Sequence, residues 1–253
     1  MPWAKRFARF CSIWTTPSWK PIARGPLAEF AEWFLGPGRE QAFRYDPDKG
    51  GATVELSDVI ASRRSIRKFR DEDISADTVR LLLDAARLAP SGSNVQPARF
   101  VVAQSPAAKE ALGRCTPYKF IVKAAVVFVC CADLTAMTAR EGRIGELLKE
   151  GVFEGVDIDM NDPAAVSPVM DEEAVKAYLS MNVAIAVEHI VLKAVDLGLG
   201  SCWLGRFDRR KVKMELALDE NVHPVVLLPV GYPDQSPKAR PRVALDKLVL
   251  KTI

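Results

Sequence analysis

From Glu55 onward the apolar residues fall into helical and strand-like patterns. Ser57 precedes Asp58 and the apolar pair Val59 and Ile60, so it is expected to cap a short helix over 58–61 with that pair turned inward. Ser75 opens a second helix, in which Val79, Leu82, Leu83, Ala86 and Ala89 recur at helical spacing and Pro90 brings the stop. Residues 99–103 read as a strand and 106–112 as a short helix. The run 124–132 is rich in Val, Phe and Cys, which predicts a central strand buried on both faces. The longest helical pattern covers 171–197. Val175, Leu179, Val183, Ala186, Val187, Ile190, Val191 and Ala194 form its wide apolar face, and Gly198 and Gly200 end it. A short strand over 201–204, a helix capped by Asp208 and running to 216, and a buried strand over 225–230 follow. Gly231-Tyr232-Pro233-Asp234 then turns the chain into a basic, proline-broken tail. No repeat is visible, and 51–253 reads as one domain of mixed α and β elements.

Two stretches break the pattern. Residues 133–172 are less regular. Their Asp157-Ile158-Asp159-Met160-Asn161-Asp162-Pro163 has only a superficial likeness to a calcium loop, since Asp162 and Pro168 stand where glycine and glutamate are required. A solvated loop or lid is the expectation. Residues 1–50 hold Trp3, Trp14, Trp19 and Trp33, four of the five tryptophans, with a helix expected over 26–35 and closed by Gly36-Pro37-Gly38. Lys5, Arg6 and Arg9 interleave there with Trp3, Phe7, Phe10 and Trp14. We read 1–50 as an extension that packs its aromatics on the body or on a partner subunit. A membrane-surface segment or a basic targeting segment are the alternatives.

Charge adds little beyond this. The chain carries 35 basic and 32 acidic residues, for a net charge of +3, which is too balanced to predict nucleic-acid binding. Five of the basic residues fall within 1–24, which contain no acid, leaving 30 basic against 32 acidic elsewhere. The five cysteines form no CxxC and no Cys/His cluster, so a zinc or iron–sulfur site is not expected. They suit a reducing, cytoplasmic setting. His189 and His223 are the only histidines, which argues against Ser-His-Asp or Cys-His catalysis; His189, on the apolar side of its helix, reads as a satisfied core residue. No apolar run reaches the roughly 18 residues of a membrane span.

Three segments carry candidate chemistry. In Ser62-Arg63-Arg64-Ser65-Ile66-Arg67-Lys68-Phe69, closely spaced guanidiniums and hydroxyls suit a phosphate or carboxylate, although a solvated linker has the same look. In Ala89-Pro90-Ser91-Gly92-Ser93-Asn94-Val95-Gln96-Pro97, small residues let the backbone approach a planar ligand and supply uncharged donors and acceptors; an ordinary polar turn is the alternative. In Gly198 to Phe207, a helix running into a glycine-broken strand can aim backbone N–H groups at a ring edge, or simply stop the helix. The tail Pro237-Lys238-Ala239-Arg240-Pro241-Arg242 offers a further phosphate contact.

Taken in order, these segments resemble the FMN-dependent nitroreductase family, from about Leu56 to the C-terminus with a gap at 133–172. The resemblance implies an α+β nitroreductase fold, with a mostly antiparallel central sheet covered by helices, in an intertwined homodimer whose long helix lies at the interface. It implies that Arg63, Arg64 and Ser65 contact the FMN phosphate and ribityl chain, and that Arg67 reaches the N1–C2=O edge, where a cation stabilises the charge left by two-electron reduction. Ser91, Gly92 and Asn94 would complete the site from the second subunit. Leu204 and Gly205 would face the N5–C4=O side, and Arg240 and Arg242 would clamp the phosphate. Lys119 is a further candidate contact. The chain departs from the family's pattern at Ala98, where an aromatic is usual, and at Arg206, where a second glycine is common. Cys202 and Trp203 read as packing residues.

The implied activity is transfer of electrons from NADH or NADPH through FMN to a small organic acceptor (nitroaromatic, quinone or activated alkene) by a ping-pong cycle, with no catalytic proton-transfer side chain required. A reductive dehalogenase, a flavin-fragmenting enzyme or a flavin-binding module without turnover are the alternatives.

Overall fold

The structure, a computed structural model, describes residues 55–156 and 170–253. The expectations for the 1–50 extension and for the calcium-like stretch at 157–168 lie outside the described residues. The sheet is built around β2 (Val126–Asp133), every residue of which is buried. Its β-branched side chains suit a pleated surface covered on both sides. β2 pairs antiparallel with β1 (Ala98–Ala103) and β4 (Val222–Gly231), and β4 pairs antiparallel with β3 (Gly200–Ser201), giving the order β1-β2-β4-β3.

Because side chains alternate along a strand, β2 feeds two cores. Val126, Phe128, Cys130 and Ala132 join one with α2 (Ala76–Arg87) and α5 (Glu172–Asp196). Val127, Val129 and Cys131 join the other with α3 (Pro106–Arg114) and α6 (Arg209–Glu215). The sheet is thus sandwiched between helical layers, the α+β architecture expected. Each large, fully buried side chain in these cores contributes roughly 1.5–3 kcal/mol by leaving water.

The caps expected at Ser75 and Asp208 are present, accepting from the backbone N–H of Thr78 and Lys211. Asp171 caps α5 in the same way through Ala174. The first helix, α1 (Leu56–Ser62), departs from expectation: its N-cap is Glu55, and Ser57 lies inside it. Val59 is buried, but Ile60 is 57% exposed, because neighbours in a helix point about 100° apart and only one can face the core. The stretch 133–172 is also more regular than expected, holding the helix α4 (Arg140–Lys149). Its charged residues, together with Gly142 and Gly145, weaken the helical signal in the sequence. α5 is 25 residues long and apolar enough to cross a membrane by length and composition, although its apolar residues form no unbroken run of that length. It instead buries Leu179, Val183, Val187 and Ile190 in the core.

Candidate functional site

The first arginine segment is pinned to the β3 edge of the sheet. Ser65 bridges Ser201 in parallel, and the Ile66 N–H donates to the Ser201 carbonyl at 2.9 Å. Phe69 bridges Pro233, while Arg70 N–H donates to Tyr232 O and Asp234 N–H to Lys68 O, both at 2.9 Å. The Arg70 guanidinium lies 5.0 Å from the Tyr232 ring centroid. This close seating explains Gly200. A Cβ there would fall inside the Ile66 side chain, 2.9 Å from its Cβ. Ile66 and Phe69 are buried, leaving Arg67 exposed.

The C-terminal tail returns to the same corner. Burial pushes the Cys202 thiol up, and the guanidiniums of Arg67, Arg240 and Arg63 pull against that shift. Three cations from two distant segments are therefore felt at one buried sulfur. Among the described residues, none of the three takes part in an ion pair with a carboxylate. Arginines gathered without a carboxylate suit an anionic ligand, and a phosphate or the electron-rich edge of a heterocycle meets that requirement. Arg64 is placed differently: its Nη1 donates to the carbonyls of Ala61 at 2.6 Å and Arg63 at 2.9 Å, closing α1. Arg242 folds over its own backbone, with Nη1 at 3.4 Å from Pro241 O.

Around β3, Leu204 exchanges both of its backbone hydrogen bonds with Leu227, at 3.0 and 3.1 Å. A backbone donor for a ring edge must then come from Gly205 onward, where an added Cβ would meet nothing within 4 Å. The Arg206 carbonyl accepts from Thr116 Oγ1 at 2.9 Å. Lys119 caps the end of α3, donating to Gly113 O at 2.7 Å.

The second segment lies elsewhere. Gly92–Asn94 forms a 3-10 turn leading toward β1, on the opposite edge of the sheet. Ala98 pairs with Ala132 at one end of β2, whereas Ser201 is level with Val230 and Val126 at the other. At strand spacings of about 3.3 Å per residue and 4.8 Å between strands, the two corners are about 20 Å apart along the sheet and about 14 Å across it. Within one chain, Ser91, Gly92 and Asn94 are not brought to the arginines. The turn is held by α5: Gly92 N–H donates to Asn182 Oδ1 at 2.7 Å, and a Cβ on Gly92 would fall on the Tyr178 hydroxyl.

A family model described as the nitroreductase family matches residues 60–232, which contain nearly all of this architecture. The chain belongs to the nitroreductase family. It is 32% identical over 199 residues to a Thermus thermophilus protein named NADH dehydrogenase, covering 78% of this chain and 96% of that one. It is similar to a solved nitroreductase-type structure in complex with FMN from Desulfovibrio desulfuricans, with 29% identity and TM-score 0.60 over 79% of this chain and 98% of that one. A nitroreductase-type structure with FMN from Exiguobacterium sibiricum shares the fold, with TM-score 0.68 at 20% identity over 79% of this chain and 98% of that one.

Several residues of this family member carry weight that its sequence does not announce. Cys202 reads as packing, yet its buried thiol lies within the field of Arg63, Arg67 and Arg240. Asn182 is 2% exposed inside an apolar helix face, and its amide joins Tyr178 O to Gly92 N–H. A polar residue at a core position of a helix is the one signal that could have found it. Asn182 also lines a cavity of about 260 Å³ bounded by Leu83, Ala86, Phe100 and Ala186. His189 hydrogen-bonds Ala85 O at 3.2 Å, the satisfied role expected of it. Among the described residues no cluster suits a metal ion.

Proposed function

We propose that this chain is an FMN-dependent oxidoreductase that takes hydride from NADH or NADPH and reduces a small organic acceptor, such as a nitroaromatic, quinone or activated alkene, by a ping-pong cycle. The observation that carries the reading is the arginine segment seated on the β3 edge, with Ile66 N–H on Ser201 O at 2.9 Å, where among the described residues Arg63, Arg67 and Arg240 form no ion pair with a carboxylate and all three act on the Cys202 thiol. The FMN in two related structures supports it. FMN, when bound, supplies the two-electron carrier between donor and acceptor. The chain's own work is binding and electrostatics. Arg63, Ser65 and Arg240 hold the phosphate end, with Arg64 and Arg242 beside them. Arg67 sets a fixed cation at the pyrimidine edge, and Gly205, with Leu204, lets the ring approach the backbone. The protein is expected to purify yellow or to bind added FMN near one per subunit. Under anaerobic conditions NADH or NADPH should bleach the flavin absorbance. Recovery of FAD, or flavin that neither nicotinamide bleaches, would sink this reading.

The same reading includes a homodimer, which the separation of the two corners supports: if Ser91, Gly92 and Asn94 belong to a flavin site, it is one on another copy. The outer side of α5 supports this: Met181 is 56% exposed, and Ala184 and Ile185 are only partly covered. Flavin and activity should therefore fall together on dilution through the dimer's dissociation range. A monomer that retains FMN tightly in analytical ultracentrifugation would contradict the shared site. The described cysteines, Cys115, Cys130, Cys131 and Cys202, are free and buried, which favours a cytoplasmic setting.

A further inference from the structure

The turn that would enter the partner's site is held in an unfavourable shape. Ser93, Asn94 and Gln96 have φ of 50°, 51° and 47°. This left-handed region crowds Cβ against the backbone, and asparagine tolerates it better than serine or glutamine does. Such a conformation persists only where the surroundings over-determine it. Two restraints grip the ends of the turn: Ser91 Oγ accepts from Gln96 N–H at 2.9 Å, and Asn182 Oδ1 from Gly92 N–H at 2.7 Å. The third grips its middle. Arg140 Nε, at the start of α4, donates to Ser93 Oγ at 3.3 Å. No residue of α4 is buried, and the Gly92–Asn94 turn is its main packing partner among the described elements. Among the described elements α4 therefore leans on the turn rather than on the core, while the turn is also held by α5.

We propose that Arg140 is a positioning residue that acts through Ser93 to hold the Ser91–Asn94 turn, with its left-handed Ser93 and Asn94, in the form in which it completes the flavin site. The proposal rests on the flavin reading above and extends it to α4. Arg140 itself touches neither flavin nor substrate in this account. Its guanidinium fixes a hydroxyl, the hydroxyl fixes a strained backbone, and that backbone is what the neighbouring subunit's site receives.

The test compares the parent full-length chain with Arg140→Ala, Arg140→Lys, Ser93→Ala and the double variant Arg140→Ala/Ser93→Ala. Amide hydrogen exchange is read without added flavin, and FMN affinity by quenching of flavin fluorescence. Arg140→Ala should speed exchange at 91–96 while 126–133 stays protected. It should weaken FMN binding about three- to tenfold, the range for losing one partly exposed hydrogen bond. Ser93→Ala should loosen the same turn, the double variant should lose no more than Arg140→Ala alone, and lysine should recover part of the loss. Unchanged exchange at 91–96, or additive losses in the double variant, overturns the role of Arg140 even if the parent binds FMN normally. Loss of protection throughout the sheet overturns it too, since that is a general structural defect. A parent that binds no FMN overturns the flavin reading and the positioning role together.

Discussion

Gly200→Ala is expected to unseat the arginine segment from the sheet and abolish most flavin binding. The added Cβ would lie within the Ile66 side chain, 2.9 Å from its branch point. Ile66 is 5% exposed and packed into the second core, so it has no free direction in which to swing. The strain must go into the backbone contact Ile66 N–H to Ser201 O, the bond that positions Arg67. Overpacking of this kind costs about 1–3 kcal/mol of stability. Displacing even one charge-assisted hydrogen bond to a ligand costs a further 1.5–3 kcal/mol or so, which is roughly tenfold or more in affinity. Thermal melts and FMN titration read the two effects separately. Ile66→Ala in the Gly200→Ala background should recover part of the FMN affinity, because it removes the branch that clashes, but not the melt, because it also empties a buried core position. Gly145→Ala makes a fair comparison, since a Cβ there meets nothing within 4 Å, and it should leave the melt unchanged or slightly higher. Equal behaviour of the two alanine variants would mean that Ile66 does not hold the arginine segment as described.

The second large effect concerns the arginines themselves. Arg63→Ala and Arg240→Ala should each weaken FMN binding by about 1.5–3 kcal/mol, the usual worth of a hydrogen bond to a charged group. Both losses should shrink as salt is raised, because exposed charges are screened. Arg67→Ala should behave differently. It leaves the phosphate end intact and removes the cation at the edge where reduction leaves negative charge, so the bound flavin's reduction potential should fall more than its affinity does. A spectroscopic titration against a dye of known potential reads this directly. If the three variants bind and titrate like the parent, the convergence at Cys202 has another purpose.

Much of this was legible in the chain. The two faces of β2, the caps at Ser75 and Asp208, and the long helix over 171–197 follow from alternation, capping chemistry and helical spacing, which are local. The failures were local too. The apolar pattern turns both Val59 and Ile60 inward although a helix can bury only one of two neighbours against a single surface, and charge and glycine hide α4. Its main support among the described residues, the turn at 92–94, lies about 45 residues away in sequence.

By itself, then, the amino-acid sequence determined the elements, their order and the family, because residue type and spacing act over a few positions and repeat across relatives. It also marked out the arginine segment and the polar turn as candidates. Only the tertiary structure decided which of them meet. Arg63, Arg67 and Arg240 come together because β3 and the tail return to one edge, whereas Ser91, Gly92 and Asn94 sit at the far corner beyond β1. It also decided that Arg64 and Lys119 lie on backbone carbonyls and that Cys202 and Asn182 stand where segments join. The reason is physical. A side chain's partners are set by strand order and register, and these are settled by the packing of both cores at once rather than by any short stretch of chain.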